Sequence, residues 1–252
     1  MKKILLYFAI KHSGVWDSIY KSLEKKEKIS ISDVEGLTPE VQTAAVTILD
    51  ANYPIWLKEI PKPPFVFFHS GCIDFLKSYK RSLGILINQN PSKYQIKVMK
   101  NYLNYFAKEK IVVIFMITEG LNENFAKILK YDIKTIFVIN SPLREFIEEN
   151  SEVIKKYEKN NNILIIAENY YKKLLDPEFK YQSRLFSGIT RQTLVIGGSR
   201  TLSFKTTIES LIDSGKEIYA IPEEIYSNNF SNNLIKNGAI LIETPNEILN
   251  YF

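Results

Sequence analysis

Residues 193–222 read TLVIGGSRTLSFKTTIESLIDSGKEIYAIP, and this stretch contains the pattern that decides the fold. An apolar run ends in a turn with two glycines, a helix-forming segment follows, and a second apolar run begins at 217. A strand, a helix and a strand in this order form a right-handed crossover between parallel strands, and strands without polar alternation are buried on both faces. The stretch therefore predicts two parallel strands covered by a helix.

The same rhythm extends along most of the chain. Further short apolar runs lie at 65–68, 83–87, 111–117, 135–139, 163–167 and 239–242, and amphipathic segments such as 94–108 and 143–158 separate most of them. We predict an α/β fold with an extended Rossmann-like, doubly wound, mostly parallel sheet. Residues 1–50 show helical spacing instead. The predicted organisation is a small helical N-terminal domain, 1–50, followed by a Rossmann-like domain, 51–252.

The single cysteine and the hydropathy pattern limit the cellular compartments in which the protein is expected. Cys72 has no cysteine partner within the chain, and a reducing compartment fits this composition. No apolar stretch approaches the length of a membrane span, so we expect a cytoplasmic protein with no membrane partner. His69 and Cys72 supply too few ligands for a zinc site, so we expect no metal.

Positive charge is concentrated in two windows. Residues 77–110 contain eight Lys or Arg and one acid, and residues 172–205 contain seven and two, whereas the rest of the chain is net acidic. Such windows favour a surface that binds a polyanion. Lysine-rich composition is the alternative explanation, and it also applies to Lys93, Lys97 and Lys100, which share one face of the predicted helix 94–108.

Two polar loops occupy the position where ligands bind to such sheets. Ligands lie at the carboxyl ends of the strands, near the point where the strand order reverses. The loop after 83–87 reads NQNPSK and the turn after 193–196 reads GGSRT. Each leads into a predicted helix, the second near residue 206, and a helix N-terminus favours phosphate through its dipole and free amides. We predict a nucleic-acid or nucleotide site here.

Four stretches resemble the DprA/Smf family (DNA-processing protein A), in order and in register, over roughly residues 53–252. The lead-in runs from Tyr53-Pro54 through Pro63-Pro64 to Gly71, and residues 179–190, FKYQSRLFSGIT, are similar to the family's FPxRNRIIAGLS. Residues 193–222 follow the family's strand, turn, helix and strand without a gap. Residues 232–239, NNLIKNGA, are close to its N-x-LI-x-x-GA ending.

The resemblance implies a protein that binds single-stranded DNA, forms a homodimer and hands the DNA to the recombinase RecA in transformation and homologous recombination. It implies no cofactor and no catalysis. Arg184 is the leading candidate for a phosphate-binding side chain, with a structural salt bridge as the alternative. Phe186 and Phe204 are candidates for base stacking. The predicted DNA-binding residues are Asn88, Gln89, Asn90, Ser92, Lys93, Arg184, Gly188, Ser199, Arg200 and Lys205.

The chain departs from the family pattern at several loops. Residues 88–90 replace Gly-Ser-Arg, residues 116–122 replace a glycine-rich turn, and residues 202–204 replace Ser-Gly-Ser. Gln182 stands where the family has the first Arg of its RNR, and Glu223 stands where it has glycine. Loss of glycine removes close backbone approach to phosphate, and loss of Arg removes a bidentate donor.

Two alternative functions stay open. One is a nucleotide-binding or hydrolysing enzyme of the LOG, or lysine-decarboxylase-like, Rossmann group, because residues 195–201 resemble that group's PGGxGT turn. The other is a diverged interaction module that keeps its protein contacts and does not bind DNA.

Overall fold

The computed structural model describes residues 1–88, 90–117, 131–158, 162–171, 180–224 and 230–251. Within them, one sheet contains nine strands. These are β1 (Ala45–Thr47), β2 (Val66–Gly71), β3 (Ser82–Ile87), β4 (Val112–Ile117), β5 (Thr135–Ile139), β6 (Ile163–Ala167), β7 (Gln192–Ile196), β8 (Glu217–Ala220) and β9 (Ile240–Leu241).

Helices connect and cover the strands. They are α1 (Lys2–Lys11), α2 (Trp16–Glu24), α3 (Ile31–Glu35), α4 (Pro39–Ala44), α5 (Lys93–Lys108), α6 (Leu143–Glu149), α7 (Ser151–Glu158), α8 (Lys180–Ile189), α9 (Leu202–Asp213), α10 (Phe230–Lys236) and α11 (Pro245–Leu249). Two 3₁₀ segments, Trp56–Lys58 and Ile73–Arg81, flank β2.

The strand order places the switch point between β3 and β7. The sheet runs β1-β2-β6-β5-β4-β3-β7-β8-β9, so the chain builds outward from β3 to β6 and then returns to the other side of β3. Strands β3 to β9 pair in parallel, whereas β2 is antiparallel to β6 and β1 is antiparallel to β2. The predicted doubly wound, mostly parallel sheet is confirmed.

Each face of the sheet has its own apolar layer, because successive side chains of a strand point to opposite faces. Leu83 and Ile85 of β3 belong to one layer, and Leu86 belongs to the other. Helix α5 packs on the first face, and α8 and α9 pack on the second. Burial on both faces explains why most of the strands lack polar alternation.

The N-terminal helices pack on the sheet face that α5 also covers. Phe8 and Val41 are buried in the same apolar layer as Val66 and Phe68 of β2. The chain then enters the sheet through β1, a strand within the stretch predicted to be helical. The prediction of helix is wrong at 45–47, where β1 forms. This strand has only three residues and follows α4 directly, so it is too short to show its own period in the sequence. The domain boundary near residue 50 stays a prediction.

Two helix predictions need correction. The amphipathic stretch 143–158 forms two helices, because the Asn150 side chain donates to the Phe146 carbonyl at 2.8 Å and ends α6. Helix α9 begins at Leu202 and not near 206, so Lys205 lies within its first turn and does not flank it. In the part of the chain that the structure describes, no helix is long and apolar enough to cross a membrane.

Candidate nucleic-acid interface

A cavity of about 310 Å³ opens at the carboxyl ends of β3 and β7. These strands pair in parallel with Ile87 opposite Ile196, so the loops that follow them leave the sheet side by side. Apolar and polar groups share the cavity wall. The lining residues are Leu86, Ile87, Asn88, Asn90, Met116, Ser199, Thr201, Ser203, Phe204 and Thr207. The structure thus brings the two polar loops together as the sequence predicted.

Two glycines shape the turn after β7. Both Gly197 and Gly198 have a positive φ, a backbone conformation that residues with a side chain rarely adopt. A Cβ on Gly197 would lie 2.2 Å from Nε2 of Gln95, and a Cβ on Gly198 would lie 2.5 Å from the ring of Phe230. The Gly198 amide donates to Oδ1 of Asn88 at 2.9 Å. This bond fixes the distance between the two loops.

The start of α9 has no side-chain cap and carries several hydroxyls. Thr201 occupies the N-cap position, but its side chain makes no capping hydrogen bond, and the first turn contains no acid. The hydroxyls of Ser199 and Thr201 lie 2.8 Å apart, and that of Ser203 lies 3.4 Å from Thr201. First-turn amides without a side-chain cap are available to a phosphate, which the helix dipole also favours.

Two basic residues lie at this helix start. Arg200 precedes it and is exposed. Lys205 is also exposed, and its Nζ lies 3.8 Å from Glu209. An exposed pair at this distance holds the lysine weakly, so Lys205 can exchange Glu209 for a phosphate.

The loop after β3 has a different character. Ser92 and Gln95 form a capping box, in which the Ser92 hydroxyl accepts a hydrogen bond from the backbone N–H of Gln95 at 3.2 Å. Asn88 donates to Oε1 of Gln95 at 3.2 Å. Asn90 and Lys93 are exposed at the rim, and Gln89 lies outside the described residues. The N-terminus of α5 is therefore less open to an anion than that of α9.

Glu223 adds negative charge beside Gln95, near the start of α5. Its carboxylate accepts from Nε2 of Gln95. Tyr94 donates to the Pro222 carbonyl at 3.1 Å, and burial, together with Glu223 and Glu224, raises the pKa of its phenol. An anionic strand in the cavity is therefore expected to lie nearer to α9 than to Glu223.

Arg184 does not line the cavity. Its Nε donates to Oε1 of Glu168 at 2.8 Å, its Nη2 donates to Oε2, and its Nη1 donates to the Lys62 carbonyl at 3.1 Å. The two ion-paired side chains are only 13% and 3% exposed. The pair joins α8 to the end of β6, beside a groove of about 720 Å³ that also contains Trp16. The structure thus shows the salt bridge that was the alternative, and a role in DNA binding stays a prediction.

Other predicted residues of the 179–190 segment are buried. Gly188 packs so closely that a Cβ would lie 2.3 Å from Leu57 Cδ1. Phe186 is fully buried, so it is not available for base stacking. Phe204 does line the cavity, where it packs edge-to-face on Phe230 with ring centroids 5.0 Å apart.

Gln182 has a role that the sequence did not reveal. It is buried, and its amide donates to the carbonyls of Ile117 and Val138, both at 2.8 Å, at the ends of β4 and β5. A neutral amide thus satisfies two backbone acceptors where the family has an arginine. The hydroxyls of Thr201 and Ser203 were also missed, although the spacing S-R-T-L-S just before a helix was a usable signal. No cluster suited to a metal ion occurs among the described residues.

The fold and the cavity define a doubly wound α/β protein with a polar and partly apolar cavity at its switch point. A family model described as DNA recombination-mediator protein A matches residues 44–252. The chain belongs to this family, the DprA/Smf family, whose members are DNA-processing proteins of recombination.

Several relatives show how far the similarity extends. DNA processing protein DprA of Bacillus subtilis (strain 168) is 24% identical over 182 residues, which cover 72% of this chain and 61% of that protein. The chain therefore spans about three fifths of that relative. DNA processing protein DprA of Streptococcus pneumoniae (strain ATCC BAA-255 / R6) is 24% identical over 209 residues, 82% of this chain and 73% of that protein.

Solved structures of two relatives share the fold. The S. pneumoniae DNA processing protein A matches with a TM-score of 0.69 and 20% identity, covering 93% of this chain and 90% of that one. The Helicobacter pylori protein, described for its single-stranded DNA binding mode, matches with a TM-score of 0.68 and 17% identity, covering 82% and 94%.

The buried ion pair generates a stability prediction. Glu168→Gln should lower the free energy of unfolding by about 3–5 kcal/mol, because it leaves the Arg184 guanidinium without its buried counter-charge. Denaturant unfolding measures this change. The matched control is Glu148→Gln, which breaks the exposed pair with Arg144 and should cost at most about 0.5 kcal/mol. Equal effects of the two substitutions would contradict a structural role for Arg184.

Proposed function

We propose that this chain binds single-stranded DNA at the cavity between β3 and β7. The observation that carries the proposal is the open start of α9, where uncapped amides and the hydroxyls of Ser199, Thr201 and Ser203 meet Arg200. A phosphate of the strand would accept hydrogen bonds from these amides and hydroxyls, and Arg200 and Lys205 would neutralise its charge.

The apolar part of the cavity supports a nucleic-acid ligand over a free phosphate. Met116 and Phe204 line the same cavity as the hydroxyls, so a base attached to the bound phosphate would find an apolar surface beside it. Contacts between bases and aromatic rings contribute about 1–3 kcal/mol per base and tolerate any base. The site thus suits a strand without a required sequence, and the H. pylori relative is described for its single-stranded DNA binding mode.

The test is fluorescence anisotropy with an oligo-dT strand across a salt series. The logarithm of the affinity should fall linearly with the logarithm of the salt concentration, by about 0.7 per neutralised phosphate. Arg200→Ala should weaken binding and make the slope shallower by about 0.7. Lys3→Ala, which removes an exposed charge from α1, is the matched control and should leave both unchanged.

The same titration tests whether the DNA strand is bound at the cavity or at Arg184. Arg184→Ala should leave the slope unchanged, since its guanidinium is held by Glu168. A shallower slope for Arg184→Ala together with a normal slope for Arg200→Ala would overturn the proposed site. Absence of binding at low salt would overturn DNA binding altogether and favour the interaction module. Hydrolysis of nucleotides by the purified chain would favour the LOG-type enzyme.

We also propose that the chain works as a homodimer without cofactor or catalysis, and that it hands the bound strand to RecA in recombination and transformation. Family membership supports this proposal. Sedimentation should give a particle of twice the 29.2 kDa chain mass. Added chain should also shorten the lag before RecA begins DNA-dependent ATP hydrolysis on a strand coated with single-strand-binding protein. A monomer would contradict the proposed homodimer, and an unchanged lag would contradict the transfer of the strand to RecA.

A further inference from the structure

The exposed face of α5 is a stripe of lysines. With 3.6 residues per turn, positions 93, 97, 100, 104 and 108 fall on one side of this helix. They are Lys93, Lys97, Lys100, Asn104 and Lys108, and all five are exposed. We call this set the lysine stripe. It extends over 15 residue steps, or about 22 Å. The opposite side of α5, with Leu103 and Phe106, is buried in the core.

Within the part of the chain that the structure describes, the lysines of the stripe are not held by ion pairs, unlike several other exposed bases of this protein. Among the described residues, Lys2, Lys11, Lys62, Lys77, Arg144 and Lys205 each have an acid within ion-pair distance. The ion pairs of the described part of the chain do not include any lysine of the stripe, and α5 itself contains no acid. Exposed lysines such as Lys21 and Lys25 also lie outside the ion pairs of the described residues, so the stripe is distinguished by the alignment of four lysines along one face of one helix.

The acids close to α5 lie at its N-terminal end and on its buried side. Glu223 and Glu224 lie near Tyr94, and Glu243 and Glu247 lie near Tyr102, which is buried. Tyr102 is about half a turn around the helix from Lys97 and Lys100. The positive charge of the stripe is therefore left facing solvent, where it can attract a polyanion.

The stripe is continuous with the proposed cavity at one end and with further bases at the other. Asn90 lines the cavity, and Lys93 follows it by three residues as the first residue of α5. At the far end, Nη2 of Arg81 donates to the Glu109 carbonyl at 2.7 Å, just after α5 ends, and Lys110 is exposed beside it. A strand that leaves the cavity past Asn90 therefore meets positive charge along the whole helix.

We propose that the lysine stripe is a second segment of the DNA path, which holds the backbone of single-stranded DNA after it leaves the cavity. The inference rests on the proposed function, since it places the strand's exit at the cavity rim. The lysines and the asparagine of the stripe contact phosphates and do not select bases, and the exposed Tyr94 lies beside the stripe on the same helix. It makes affinity depend on strand length: short strands fill the cavity, and longer strands also contact α5.

The test compares a short and a long oligo-dT in the anisotropy titration. For the unmodified chain, the long strand should bind more tightly and with a steeper salt slope. Lys97→Ala combined with Lys100→Ala should reduce that extra slope by about 1.4, at about 0.7 per lost phosphate contact. The same variant should bind the short strand as the unmodified chain does, because neither residue lines the cavity.

The matched control is Lys21→Ala combined with Lys25→Ala, which removes two exposed lysines from α2 and its C-cap. It should leave both strands unaffected. Equal losses in the control, or equal losses for short and long strands in the α5 variant, would overturn the stripe as a separate segment. If short strands bind and long strands gain nothing, this inference fails and the proposed function stands. If neither strand binds, the proposed function itself fails.

Discussion

The parallel pairing of β3 with β7 is the constraint on which the rest of the site depends. It sets Ile87 beside Ile196, so the loops from two distant parts of the sequence leave the sheet together. The bond from the Gly198 amide to Asn88 then fixes the distance between them. The N-terminus of α9 faces the space so formed, with α5 beginning alongside. The cavity is thus a consequence of the strand order, and the Asn88 side chain helps to hold its two loops together.

The chain uses this inherited cavity with different chemistry from the family pattern. Amides at Asn88 and Gln182 replace groups that carry charge or allow close approach, and they satisfy backbone and side-chain partners within the protein. Glu223 places negative charge on one side. Positive charge is correspondingly found elsewhere, on Arg200, Lys205 and the lysine stripe. The DNA binding that we propose would therefore depend on backbone amides, hydroxyls and dispersed lysines, and it should be sensitive to salt.

The sequence predicted the sheet well because its strands are buried on both faces and separated by helices, a pattern with few alternatives. It missed β1, which is too short to show a period, and it placed the start of α9 too late. The proximity of the 88–90 and 197–201 loops followed from the switch-point rule. The position of Arg184 did not, because its contact with Glu168 joins residues that neither periodicity nor motif relates.

The most direct test of the central claim is an amide NMR titration of the intact chain with a short oligo-dT strand. The account predicts that the largest shifts fall on the amides of residues 198–204, at the turn after β7 and the first turn of α9. Smaller shifts are expected along α5 only when the strand is lengthened. Shifts confined to the groove around Arg184 and Trp16, with the 198–204 amides unchanged, would contradict it.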